Sequence, residues 1–408
     1  MTSIVCPSNH TEVQEATEWA LSTSTPMAIV GSGSKIALGR STNLDITLNL
    51  SGLTGVKNYE PSELILTARP GTTLKDLTAQ LSEHGQELAF EPPDYGAFFG
   101  QESDTATLGG AIACNLSGPR RIRAGAARDH FLGMEAINGR GEFFKAGGKV
   151  VKNVTGYDLC KLIAGSYGTL ALLTEATVKV LPKSEKTRSV LISALTHKTA
   201  LSVFQKLLSG PTESSGLAHL PANIAKRSKV DFVSNTGLSV TAVRVEGPTP
   251  SVIQRTKDLM TALAGYGDVE ELHTHRSRML WKEIGDLSPF VENQTSTVWR
   301  IMVPPSQAGL VIDNLSNMFS VSWYFDWAGG LIWVESDDGD PDDVHTGIRN
   351  CVTEVSGQST LIRGSSTLRA SVDVFEPLPK PIFQLNYRIK QAFDPNAIFN
   401  PARVYAGI

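Results

Sequence analysis

The chain has 408 residues, 41% of them hydrophobic and 19% charged, with a formal net charge of −4. That length predicts two or three domains and a core large enough to need no staples, and the charge gives no footing for nucleic acid or an anionic membrane. The four cysteines, Cys6, Cys114, Cys160 and Cys351, stand far apart, which excludes a CxxC metal or iron–sulfur run and fits a reducing compartment.

At the N-terminus no basic segment precedes an apolar run, so no signal peptide is expected. No apolar stretch is long enough to span a bilayer. Residues 11–21 predict a helix with Val13, Ala16 and Ala20 on one face and Thr11 as its cap. MAIVGSGSKIALGR (27–40) predicts a strand over 27–30 and a turn at Gly31-Ser32-Gly33-Ser34-Lys35. Two readings stand for that turn: a plain hairpin, or a nest of successive N–H groups for an anion such as phosphate. It is neither a Walker A loop nor a GxGxxG loop, because Ile36 occupies the last glycine position. Residues 46–56 read as a strand and turn. Residues 63–93 read as a strand (63–68), a helix capped by Thr72 or Thr73 with Leu74, Leu77 and Leu81 buried, and a strand (88–90) stopped by Pro92-Pro93.

Glycines then crowd together: thirteen of the 36 fall between Gly100 and Gly168. They suit either tight turns or a backbone moulded round a ligand. Thr107-Leu108-Gly109-Gly110 leads into a helix near Ala111, whose N-terminus offers free N–H groups to a pyrophosphate. Asn115, Ser117 and Gly118 continue a polar wall, and Arg120, Arg121, Arg123 and Arg128 make a basic run. A strand region over 134–148 carries a hairpin turn at 138–141. Gly156-Tyr157-Asp158 opens a helix to Ala164, Gly165 to Thr169 break it, and a strand follows from Leu172 with Thr174, Ala176, Val178 and Val180 on one side. Beyond Pro182 the glycines thin out. Strands at 190–195 and 238–247 go with helices at 199–209 and 250–264. Strands at 297–303, 320–325, 330–336 and 359–364 go with helices at 306–318 and 342–354. Two α+β units on antiparallel strands fit that order.

In chain order, GSGSK, RPGTTLKDL, TLGGAIACNLSGP, RDHFLG, the run from GGKVVKNVTGYD to TVKVLP, and FDPNAIFNPARVY resemble the FAD-binding flavoproteins of the vanillyl-alcohol oxidase superfamily. SGPRR, KNVTGYD, VWRIMVP (298–304) and FDWAGG (325–330) are similar more narrowly to the FAD-binding E subunits of bacterial glycolate oxidases. The resemblance is dense over 27–182, sparse over 183–370 and clear again over 390–405. It implies an α+β fold with a PCMH-type two-part FAD-binding domain (1–183), an antiparallel-sheet α+β cap domain (184–370), and a tail (371–408) returning to the FAD domain.

By position, the resemblance puts the pyrophosphate of a noncovalent FAD between Ser32, Gly33, Ser34 and Lys35 on one side and Thr107, Gly109 and Gly110 on the other. Asn115, Ser117 and Gly118 would line the flavin. Gly168, Thr169, Leu170 and Val178 would close on the ribityl and adenine parts, with Asn400 and Pro401 in the tail near the flavin. The implied activity is oxidation of glycolate, or another small 2-hydroxy acid, in a complex with a second FAD-containing D-type subunit and an iron–sulfur F-type subunit. The implied location is cytoplasmic, at the membrane's inner face through those partners. A stand-alone flavin oxidoreductase and a flavin-binding subunit without turnover are the alternatives.

A 2-hydroxy acid needs a carboxylate holder and a base. Arg300, between Trp299 and Ile301, is the holder candidate, with pairing to a neighbouring acid as the other reading. Tyr157 and Asp158 either abut the flavin or serve as a packed ring and a helix cap. His130 is not expected to anchor flavin covalently. Trp323, Trp327 and Trp333 read as core aromatics. The related D-type dehydrogenases carry an HxxDGNxH-like metal motif that this sequence lacks. His273 and His275 form a pair without a third ligand, so no metal is expected.

Overall fold

The structure, a computed structural model, describes residues 3–148, 156–337 and 339–408. Two compact units divide it: Met1–Ser117, Gly125–Lys183 and Asp373–Ile408 form the first, and Gly118–Ala124 with Ser184–Val372 the second.

In the first unit, β1 (Ser3–Val5), β2 (Met27–Val30) and β3 (Ile46–Asn49) form a parallel sheet with β3 in the centre. The His10–Thr23 helix covers it through Val13 and Ala20, which join Met27, Leu48 and the tail's Phe399 in one apolar cluster. Its cap is Asn9, whose side chain accepts from Glu12 N, rather than Thr11. The other sheet is antiparallel, in the order β4 (Val56–Glu60), β5 (Ile65–Ala68), β9 (Ala171–Lys179), β7 (Phe131–Asn138), β8 (Phe143–Gly147). The Leu74–Glu83 helix is capped by Thr73 and buries Leu74, Leu77 and Leu81 beside it. After that helix comes β6 (Gln86–Glu87), a two-residue strand paired with β10 (Leu181–Pro182). The strand expected at 88–90 is absent because pairing ends at Glu87 and Glu91 turns with φ +47°.

The second unit is built on one eight-stranded antiparallel sheet. Its strands are β11 (Lys186–Ser193), β12 (Gly216–Leu220), β13 (Val240–Gly247), β14 (Val269–Leu272), β15 (Thr297–Met302), β16 (Val321–Asp326), β17 (Leu331–Ser336) and β18 (Gln358–Arg363). Spatial order is β14-β11-β13-β12-β16-β17-β15-β18, so the second four strands mirror the first four about the β12–β16 contact, where His219 faces Phe325. Gly118–Ala124 belongs to this unit although its neighbours in sequence do not. Arg120 makes two hydrogen bonds to Glu246 (3.1 and 2.9 Å), and Trp327 Nε1 donates to Gly118 O at 3.0 Å.

Candidate cofactor site

The site lies in the first unit, where β2 runs out. Val30 is the last paired residue, and the chain bends through residues 31–35. Gly33 holds φ +85°, a region other residues enter at a cost. Among the described residues, none of the backbone N–H groups of Gly31, Ser32, Gly33, Ser34 and Lys35 donates to a protein acceptor. Consecutive outward N–H groups make an anion-binding concavity. Ser34 is buried and receives hydrogen bonds from Ser32 Oγ (3.3 Å) and Lys35 Nζ (3.2 Å). Burial pushes the Lys35 ammonium below its ordinary pKa. A cation so placed gains from an incoming anion.

The facing wall is the Leu108–Ala113 helix, capped by Thr107, whose Oγ1 accepts from Gly110 N at 3.2 Å. This helix starts three residues before the expected position at Ala111. Its N-terminus does not offer free donors as expected: Leu108 N donates to Thr72 O (3.0 Å) and Gly109 N to Pro70 O (2.8 Å). The turn at 70–72 consumes those groups, so the free donors sit on the 31–35 loop. The two adjacent glycines also differ. A Cβ on Gly109 would stand 2.5 Å from Pro70 Cβ, whereas one on Gly110 would stand 3.2 Å from Thr107 Oγ1 and 3.4 Å from Lys35 Cε. Gly109 serves packing; Gly110 keeps the space beside the ammonium open.

A third wall joins the 165–169 turn to the tail. Asn400 sits with φ +41° and uses its amide on both sides. Its Oδ1 accepts from Ile29 N (2.9 Å), and its Nδ2 donates to Tyr167 O (2.8 Å). Gly168, at φ +69°, packs against that amide. Together the walls line one partly open cleft, concave and largely apolar with a few converging polar groups, as small-molecule and cofactor sites are.

Of the residues singled out from the sequence, Ser32, Gly33, Ser34, Lys35, Thr107, Gly109, Gly110, Gly168 and Asn400 line this cleft. Asn115, Ser117, Thr169, Leu170 and Val178 stand outside the lining. Asn115 Oδ1 accepts from Arg128 N and Ser117 Oγ from Ala127 N, so both brace a neighbouring turn. Thr169 Oγ1 donates to Ser166 O, and Leu170 and Val178 are buried in the apolar core. Gly118 belongs to the second unit. Cys114, Ser166, Tyr167 and Arg403 line the cleft without having been singled out. Cys114 follows Gly110 by four residues, one helical turn, a spacing that could have found it. Burial raises its thiol pKa while Lys35 and Arg403 pull it back.

Tyr157 is 92% exposed, and Asp158 caps the Leu159–Ile163 helix by accepting from Lys161 N. Residues 149–155, which include the whole KNVT stretch, lie outside the described residues. Arg300, on β15 of the second unit, lies 5.1 Å from the Trp327 ring centroid. His130 is buried, and His273 precedes the Thr274–Gly285 helix. Among the described residues no three metal-ligating side chains cluster, and no helix is long and apolar enough to cross a membrane.

The residues present fit FAD: the 31–35 donors and Lys35 suit a pyrophosphate, and Ile29, Leu50 and Leu172 supply apolar lining. Residues 1–147 match the FAD binding domain family. The glycolate oxidase subunit GlcE of Escherichia coli (strain K12) is 33% identical over 392 residues, 96% of each chain. A D-lactate dehydrogenase of Archaeoglobus fulgidus is 35% identical over 44% of this chain and 39% of its own. In fold, p-cresol methylhydroxylase matches with a TM-score of 0.73 and 13% identity, over 98% of this chain and 88% of that one. With two-part PCMH-type architecture, an FAD-fitting cleft and identity along nearly its whole length, the chain belongs to the family of the glycolate oxidase subunit GlcE and is an FAD-dependent oxidoreductase.

Proposed function

We propose that this chain is the FAD-holding E-type subunit of a glycolate dehydrogenase complex, oxidising glycolate or a close 2-hydroxy acid to the 2-oxo acid. The observation that carries this reading is the 33% identity to GlcE along 96% of both chains. Bound FAD would accept the hydride; the protein's part is to bind, orient and insulate it. The N–H groups of residues 31–35 and the Lys35 ammonium hold the pyrophosphate. Gly110 leaves it room, and Asn400 fixes the 165–169 turn against β2. No covalent anchor is invoked.

The first unit then serves as the FAD domain, including the tail, and the second as the cap that meets substrate and partners. Arg300 is the candidate holder of the substrate carboxylate, and Tyr157 a candidate catalytic side chain beside the flavin. The four cysteines are scattered, so electrons would leave through a separate iron–sulfur F-type chain, beside a D-type FAD subunit, on the cytoplasmic side of the membrane. The test is the visible flavin band of the assembled complex under anaerobic conditions. Glycolate should bleach it. A complete complex whose flavin stays oxidised with glycolate would rule out this activity.

A further inference from the structure

One fully buried ion pair in the first unit lies outside the cleft and yet ties together the two segments of its third wall. Lys390 is in the last turn of the Lys380–Phe393 helix, and Asp394 caps that helix. Their side chains are 2% and 0% exposed. The Lys390 ammonium donates three hydrogen bonds: to Asp394 Oδ2 (2.7 Å), Thr169 O (2.7 Å) and Phe399 O (2.9 Å). An ammonium has three donors, and all three are used. Asp394 in turn accepts from Ile398 N (Oδ1, 3.0 Å) and Phe399 N (Oδ2, 2.9 Å).

The partners explain the significance. Thr169 O ends the turn whose Ser166, Tyr167 and Gly168 line the cleft, and Phe399 O immediately precedes Asn400, which also lines it. Asn400 carries the connection onward to Ile29 on β2. Thus one buried cation sets the spacing between the 165–169 turn, the tail and the strand that launches the 31–35 loop. A buried ion pair is a weak stabiliser of a fold, because desolvation offsets most of its attraction, and replacing both members often leaves stability unchanged. What it supplies is a fixed geometry.

We propose that Lys390, with Asp394, is a positioning residue for the cofactor: it holds the cleft at the width that binds FAD, without touching FAD itself. This rests on the reading of the 31–35 cleft as the FAD site.

The test uses the full chain, with FAD as the probe. Lys390→Met alone strands the Asp394 charge and risks unfolding. The informative variant is Lys390→Met with Asp394→Asn, which removes both charges and keeps an acceptor for Ile398 N, while Phe399 N, Thr169 O and Phe399 O lose their partners. Its FAD dissociation constant is expected to rise about tenfold or more, because the 165–169 turn and the tail lose their common tie, when measured under conditions where both FAD-free proteins are fully folded. An unchanged dissociation constant under those conditions, or a loss seen only where the FAD-free variant is partly unfolded, would overturn the proposal. In the wild type, FAD should slow hydrogen exchange at the Ile398, Phe399 and Asn400 amides; exchange there indifferent to FAD would also overturn it. A wild-type chain that binds no FAD would instead refute the cleft assignment.

Discussion

Gly109 and Gly110 are adjacent and play different parts. Gly109 is pressed on Pro70, and Gly110 faces Lys35 across the cleft. Gly109→Val should therefore cost about 1–3 kcal/mol of stability through overpacking, read as a lower denaturant midpoint. Gly110→Val should lower the midpoint less than Gly109→Val does and abolish FAD retention, read from the flavin content of the purified protein. The motif showed that glycines were needed here but not which served packing, because neighbouring residues on a helix face different directions. Lys35→Gln should raise the FAD dissociation constant about tenfold by removing a charge-assisted contact, measured by titration with FAD. The 31–35 loop was legible as a candidate anion nest from its Gly-Ser-Gly-Ser-Lys sequence. The satisfied N–H groups at the Leu108–Ala113 helix start were not, since their acceptors come from the distant 70–72 turn.

Elements with clear punctuation were legible. Thr73, one of the two caps the sequence offered, caps its helix, whereas Thr107 caps a helix that starts earlier than the sequence suggested. Losing the Thr107 cap in Thr107→Val should cost about 1 kcal/mol, measurable by chemical denaturation, and weaken FAD binding because the same residue borders the cleft. The strands β12 and β14 and the helix at Thr274–Gly285 were missed. β12 is buried on both faces, so its burial gives no alternation to read. The Lys380–Phe393 helix was missed for the opposite reason. Ile382, Leu385 and Tyr387 are exposed, while Lys390 is buried, reversing the usual assignment of polar and apolar positions. Its charge makes sense only with Thr169 and Phe399, partners remote in sequence or across a turn.

At the scale of the whole molecule, the glycine-rich part and the strands β15 to β18 were legible from the order of elements, whereas the two α+β units expected there are joined in one eight-stranded sheet. The excursion of Gly118–Ala124 into the second unit was not legible, because it depends on a tertiary pairing with Glu246. Burial alone would raise the Glu246 pKa, but the Arg244 and Arg120 guanidiniums and the Ser215 hydroxyl outweigh it and hold the carboxyl at about 2. An unfolded glutamate titrates near about 4.3. The folded form therefore binds its proton more weakly, so the stabilisation is complete above the unfolded value and is lost as pH falls toward 2. Glu246→Gln should destabilise the chain at neutral pH, with the difference from wild type shrinking through that acid window in denaturation curves; a pH-independent difference would contradict the charge pairing.

That the first-unit cleft holds FAD without a covalent bond is tested by reconstituting the purified chain with FAD, recording its visible spectrum, then denaturing and filtering it. A bound flavin band should appear, all of the flavin should pass into the filtrate, and the Gly110→Val chain should show no band. A wild-type chain that stays colourless in excess FAD, or a Gly110→Val chain that binds it equally well, would contradict the assignment of the cleft.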